Sequence, residues 1–298
     1  MIDLSDVRAA AKRIDGRIRR TPVVQAGPDL WFKLEYLQHA GSFKTRGMFN
    51  RILSADVPAA GVVAASGGNA GLAAAYAARE LGVPAEVFVP ETAPAVKVAK
   101  LGKLGARVVQ SGSEYAEAYT AAMKRVEESG ALFCHAYDDP AMVAGNGTIA
   151  LELAEFDTVL VAVGGGGLLA GLISGDVRTV AVEPEGACAL HAALAAGEPV
   201  DVPVGGVAAD SLGARRIGGI AFEMAVATRV GSLLVTDAAI VDARRRLWDD
   251  YRIVVEHGTA AAYAALLSGA YRPEPGEKVA VLLCGANTDP SDLSVATS

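Results

Sequence analysis

The 298-residue chain is 52% apolar and 20% charged, with a net charge of −7. Such a composition can bury a sizeable core, in one large α/β domain or two modest ones. The longest unbroken basic run is 244–246, and Arg17, Arg19 and Arg20 form another small cluster; this balance argues against nucleic acid and against an anionic membrane surface.

At the N-terminus, Asp3, Asp6 and Arg8 stand where a secretory leader needs an apolar stretch, so a mature cytoplasmic protein is expected. Residues 4–14 have amphipathic helical spacing, with Ser5 or Asp6 as the N-cap. Residues 21–24 (TPVV) are extended, because the residue before a proline is pushed away from the helical region. A strand follows at 30–35 and a helix at 45–53. Between them, residues 41–47 (GSFKTRG) put Lys44 at a strand-to-helix junction, where binding groups are often held on a rigid frame. Lys44 reads either as a solvated cation, the rule for lysine, or as an amine made nucleophilic by partial burial and suited to Schiff-base chemistry.

The chain then alternates. Strands at 61–65, 85–89, 106–110 and 131–135 are separated by helices at 69–81, 95–104 and 114–128. This βαβ rhythm predicts an open parallel sheet with right-handed crossovers. A helix over 140–156 is broken by the glycines at 145 and 147. A second series follows: strand 158–163, helix 167–174, strand 178–183, helix 187–196, and a looser stretch over 200–212. Helices near 215–227, 237–251 and 258–268 surround a short strand at 231–235, and a last strand runs over 278–283. The final eleven residues are mostly polar and expected to fray. The apolar stretches 57–78 and 158–175 are each split by glycine clusters into strand, turn and helix, so no membrane span is expected. The expected fold is α/β: two open, mostly parallel three-layer units, the smaller (46–138) inserted in the larger (1–45 and 139–298).

Cys134, Cys188 and Cys284 lie far apart, with no zinc spacing, which suits a reducing compartment. Three clusters stand at the carboxyl ends of strands, where open parallel sheets bind ligands. Gly164, Gly165, Gly166 and Gly167 follow one strand and open a helix. Bare N–H groups and a helix N-terminus make an anion cradle, and phosphate is its usual occupant. The same run satisfies GxGxxA through Gly165, Gly167 and Ala170, with Glu183 closing the next strand, so a dinucleotide is a rival occupant. Residues 66–71 (SGGNAG) form a second anion site that suits a carboxylate, or else a serine cap with turn glycines. Cys284 ends the last strand, where a thiol can meet a ligand heteroatom or simply fill the core. Asp210 and Glu183 are further polar liners, or solvated loop acids.

Residues 33–38 (KLEYLQ) running into 41–47, with 90–94 (PETAP), 144–152 (AGNGTIALE), the tetraglycine and 284–287 (CGAN), resemble the threonine/serine dehydratases. These are pyridoxal-phosphate enzymes of the tryptophan-synthase-β fold, or fold type II, with serine racemase a relative. The resemblance covers nearly the whole chain in order. It implies that Lys44 holds pyridoxal 5′-phosphate as a Schiff base and later takes the substrate Cα proton. Phe43 would pack beside the ring, Asn69 would bond the ring oxygen and Cys284 would face the pyridine nitrogen. Gly164 to Gly167 and Leu168 would cradle the phosphate. Ser66, Gly67, Gly68, Asn69 and Ala70 would bind the substrate carboxylate. The activity implied is β-elimination from a small hydroxyamino acid such as L-threonine or L-serine, giving a 2-keto acid and ammonia, in a homodimer. Gly67 stands where the racemase has a serine serving the opposite face, which favours dehydratase. Ala70 replaces the family's usual histidine. Glu183 and Ala187 align with the family's divalent-metal positions, but Ala189 replaces the third ligand, so no tight metal is expected. A regulatory extension, and with it isoleucine feedback, is not expected. Racemisation or β-replacement on the same fold is the alternative, and a dinucleotide-binding oxidoreductase or nucleotide sensor the remote one.

Overall fold

The computed structural model describes residues 1–293. Helix α1 (Leu4–Ile14) buries Val7, Ala10 and Ile14. Its N-cap is Asp3, not Ser5 or Asp6. The Asp3 carboxylate accepts the N–H of Ser5 at 2.8 Å, while the Asp6 side chain accepts the N–H of Asp3 at 3.1 Å. This reciprocal box satisfies more orphan donors than a cap at either later residue could.

Strands β1 (Val23–Gly27) and β2 (Leu30–Lys33) form an antiparallel hairpin. Helix α2 (Lys44–Leu53) follows two short turns. The next segment alternates as its periodicity predicts: β3 (Val62–Ala65), α3 (Asn69–Glu80), β4 (Ala85–Val89), α4 (Ala95–Lys103), β5 (Arg107–Gln110), α5 (Tyr115–Ser129) and β6 (Leu132–Phe133). These four strands form one parallel sheet in the order β5-β4-β3-β6.

Helix α6 (Pro140–Gly147) is shorter than the sequence suggests, and only a single tight turn, Ala150–Glu152, continues it. Its glycines serve packing. A Cβ on Gly145 would lie 2.7 Å from the Cα of Gly47, so α2 and α6 meet backbone to backbone. The chain continues through β7 (Thr158–Ala162), α7 (Gly167–Ser174), β8 (Thr179–Pro184), α8 (Ala189–Ala196), the one-turn α9 (Ala209–Leu212), α10 (Gly219–Thr228), β9 (Gly231–Val235), α11 (Asp237–Tyr251), α12 (His257–Leu267) and β10 (Val279–Leu282). A last turn, Ser291–Leu293, lies within the stretch expected to fray, and the rest of that stretch, 294–298, lies outside the described residues.

The second sheet has the order β1-β2-β10-β7-β8-β9. All its pairings are parallel except the β1–β2 edge. The last strand thus enters between one of the first and one from mid-chain. Buried residues pack on both faces of each sheet, which makes each a three-layer unit. Strands β3, β4, β7, β8 and β10 are buried along their whole length, the mark of parallel strands covered on both sides. Among the described residues no helix is long and apolar enough to cross a membrane.

Candidate active site

The carboxyl ends of β7, β10, β3 and β6 surround a cleft of about 500 Å³ lined by Phe43, Lys44, Asn69, Tyr137, the four glycines and Cys284 among others. A second cleft of about 350 Å³ is lined by Gly67, Gly68, Lys97, Asp210 and Asn287 among others. Asn69, Ser211 and Glu256 line both.

Lys44 is the first residue of α2. Its Nζ donates to the Ala136 carbonyl at 2.8 Å and lies 5.0 Å from the centre of the Phe43 ring. Burial lowers the amine to about 8. The positive end of α2 acts in the same direction, since helix N-termini disfavour cations. Lys44 is therefore not a solvated cation, and its amine gives up its proton more readily than an ordinary lysine does. The loop that offers Ala136 is pinned by His135, whose Nδ1 accepts the N–H groups of Tyr137 at 3.2 Å and Asp138 at 2.8 Å.

The tetraglycine leaves β7 and starts α7, whose N-terminus has no side-chain cap. Gly166 sits at φ +88, a left-handed conformation, and a Cβ on Gly165 would lie 2.3 Å from the Tyr137 ring. Two of these glycines are thus demanded by backbone and contact, and the loop keeps its N–H groups bare beside a helix N-terminus. Tyr137 was not read from the sequence, although it lies just beyond β6, where the strand-end rule points.

Cys284 follows β10. Its Sγ lies 3.3 Å from the Thr259 hydroxyl, and burial pushes the thiol up to about 12, so it is a neutral group at the cleft wall. Asn69 opens α3. Its Nδ2 donates to both oxygens of Glu256, at 2.9 and 3.0 Å, and its Oδ1 accepts Nδ2 of Asn287 at 2.7 Å. Glu256 is 7% exposed. Burial raises its carboxyl above the ordinary value, against hydrogen bonds from Asn69 and Asn287. It too was missed: a lone Glu after the apolar 253–255 reads as an ordinary helix cap.

The remaining expected site residues divide. Gly67, Gly68 and Asp210 line the second cleft, where Asp210 pairs with Lys97. Ser66 lines neither cleft, and its hydroxyl accepts the Gly68 N–H at 3.2 Å. Ala70 is 3% exposed and packs in the core of the smaller sheet, because it faces inward from the first turn of α3. Leu168 lines the first cleft beside the glycines. Glu183 is fully buried and faces neither cleft. Both its oxygens accept N–H groups of α8, from Leu190 and His191 at 2.8 Å each. Burial pushes its carboxyl up to about 7 against those bonds. A group so engaged cannot meet a ribose hydroxyl, which removes the dinucleotide reading of the glycine run. Ala187 beside it is 2% exposed and offers only a methyl group.

One cleft thus brings together a buried amine, a loop of bare N–H groups and a neutral thiol, a set that fits a flat ring carrying an aldehyde and a phosphate ester. Residues 14–285 match the family described as "Pyridoxal-phosphate dependent enzyme". The L-threonine ammonia-lyase of Thermotoga maritima is 34% identical, aligned over 97% of this chain and 76% of its own length. The phenylserine dehydratase of Ralstonia pickettii is 36% identical over 96% of this chain and 94% of its own. The solved structure of maize serine racemase superposes with a TM-score of 0.91 at 31% identity, covering 98% of this chain and 95% of that one. The chain therefore belongs to the pyridoxal-phosphate dependent enzymes, with the mostly parallel α/β architecture of the fold type II members.

Proposed function

We propose that this enzyme is an ammonia-lyase that removes water from a 3-hydroxy amino acid and yields a 2-keto acid and ammonia. The reading rests on one amine that burial holds low, Lys44, and on Gly67, which carries no side chain that could act as a second base on the substrate. Racemisation needs a proton acceptor on each face of Cα; elimination needs only one. When bound, pyridoxal phosphate supplies the electron sink that makes the Cα proton removable. The residues do the rest. Lys44 anchors the cofactor and then takes the Cα proton. The bare N–H groups of Gly164 to Gly167 hold the phosphate, and Asn69 and Cys284 fix the ring. Gly67 and Gly68, beside the positive end of α3, receive the substrate carboxylate.

The substrate class extends beyond serine and threonine. A Cβ on Gly67 would meet nothing closer than Val89 at 3.4 Å, and one on Gly68 nothing closer than Ser66 at 4.0 Å. Packing does not demand these glycines, and the space they leave suits a larger β-substituent, in keeping with a relative named phenylserine dehydratase. We read residues 46–138 as the unit that closes over the substrate and the rest as the cofactor-binding unit, in a cytoplasmic homodimer.

The test is a panel of L-serine, L-threonine and phenylserine, scored for keto acid and, by chiral chromatography, for D-amino acid. Keto acid is expected from all three, and D-serine without pyruvate overturns the reading. Lys44→Ala should abolish both the product and the absorbance of the lysine-bound cofactor.

A further inference from the structure

A lyase of this kind needs an acid as well as a base, because hydroxide is a poor leaving group. Four titratable side chains line the first cleft: Lys44, Tyr137, Glu256 and Cys284. Lys44 is the base. Cys284 is bonded to Thr259. The Tyr137 ring lies against Gly165 in the phosphate cradle. Glu256 is placed differently. It is one of only three residues, with Asn69 and Ser211, that line both clefts, at the passage from the amine to the glycine wall. A substrate with Cα at Lys44 and its carboxylate at Gly67 and Gly68 must lie along that passage.

Resting on the lyase reading, we propose that Glu256 is the catalytic acid that protonates the departing β-hydroxyl. Its two oxygens are unequally occupied. Oε1 accepts Asn69 at 2.9 Å and the Asn287 N–H at 2.9 Å, whereas Oε2 accepts Asn69 alone at 3.0 Å. Oε2 is thus the oxygen with a lone pair left for a proton. The charged groups around Glu256 are Lys44, which favours its ionised form, and Asp210, which with burial favours the protonated one.

The step balances. The amine of Lys44 takes the Cα proton, and the C–H electron pair becomes the Cα–Cβ double bond. The Cβ–O bond breaks with its pair going to oxygen, which takes the Glu256 proton and leaves as water. Asn69 and Asn287 then stabilise the carboxylate left behind. The proton gained at Lys44 restores Glu256 through solvent.

Glu256→Gln tests the proposal with two leaving groups: the hydroxyl of serine or threonine, and the chloride of 3-chloroalanine, which departs without a proton. Positioned general acids contribute about 10²–10⁴-fold. The variant should lose that much on the hydroxyl substrates and stay within a few-fold of wild type on the chloride. Equal losses on both, or no loss on the hydroxyl substrates, overturn the assignment. A second readout needs neither turnover nor cofactor. Infrared difference spectra of cofactor-free wild type against Glu256→Gln, followed through a pH titration, should show the Glu256 protonated-carboxyl band persisting to higher pH than that of an ordinary glutamate, because burial raises it; a Glu256 that ionises at or below the ordinary value overturns the assignment. If wild type keeps its cofactor absorbance yet makes keto acid from 3-chloroalanine alone, the hydroxy-acid lyase reading fails, whatever the infrared band reports.

Discussion

Lys44 combines two features that lysine seldom has together: a position at a helix N-terminus and an amine inside a cleft. Both disfavour the ammonium, and burial is the larger effect, holding the amine at about 8 instead of the ordinary 10.5. The consequence is kinetic. Only the neutral amine attacks an aldehyde, and it accumulates as pH rises through its own pKa. Cofactor capture by the cofactor-free protein should therefore rise with pH up to about 8 and level off above it. Stopped-flow absorbance of capture against pH measures this. A rate still climbing towards 10.5 means that the amine titrates as a solvated lysine does. At this scale the sequence was informative where chemistry is local. Lys44 and Gly164 to Gly167 announce themselves by what stands beside them in the chain. Glu256 does not. Its role depends on Asn69, 187 positions away, and on Asn287, 31 away, and no local pattern marks a carboxyl whose partners come from elsewhere.

The elements that carry the site are tied to one another by buried charge. Arg46, two residues into α2 from Lys44, is fully buried. Its Nε donates to Glu35 at 2.6 Å and its Nη1 to Glu152 at 2.7 Å. Lys33, at the end of β2, bonds the other Glu152 oxygen at 2.5 Å and the Thr21 carbonyl at 2.7 Å. Two cations and two carboxylates thus link β2, the turn after it, α2 and the turn after α6, with no net charge. A complete set of this kind adds little to stability, but removing one member strands the others in a dry interior. Glu152→Ala leaves Lys33 without its carboxylate and Arg46 with one in place of two. The expected loss is about 3–5 kcal/mol in urea unfolding, the range for breaking a buried pair. A loss below about 1 kcal/mol, the range of exposed pairs, shows that water reaches the network. Sequence periodicity found α2 and β2 but could not find this link, because Glu152 lies more than 100 positions from Lys33 and Arg46 and only the fold brings it between them.

For the molecule as a whole, the crossings of the chain matter more than its elements. Local pattern located nearly every strand and helix. It could not supply the order in which the strands pair, because β10 joins β2 across most of the chain and the register depends on both. It gave 21–24 as extended but did not show that the stretch continues into β1 and pairs back on β2. The pairings decide what faces what, and they set the two sheets on either side of the second cleft. Gly67, Gly68, Lys97 and Lys100 come from the segment of the smaller sheet; Asp210, Ser211, Glu256 and Asn287 from that of the larger. Lys97 and Asp210 pair across the gap, with side chains 30% and 72% exposed. An exposed pair contributes about 1 kcal/mol or less. It can bias closure over a substrate but cannot by itself hold the cleft shut. Lys97→Ala and Asp210→Ala should each raise KM by about fivefold or less, leave kcat nearly unchanged and lose their effect in high salt. The double variant should be no worse than either single one, because each removes the same contact. If Lys97 instead binds the substrate directly, its loss costs more than that of Asp210 and the two losses add. Steady-state kinetics of the four proteins at two salt concentrations separates a latch between the two halves from a contact with the ligand.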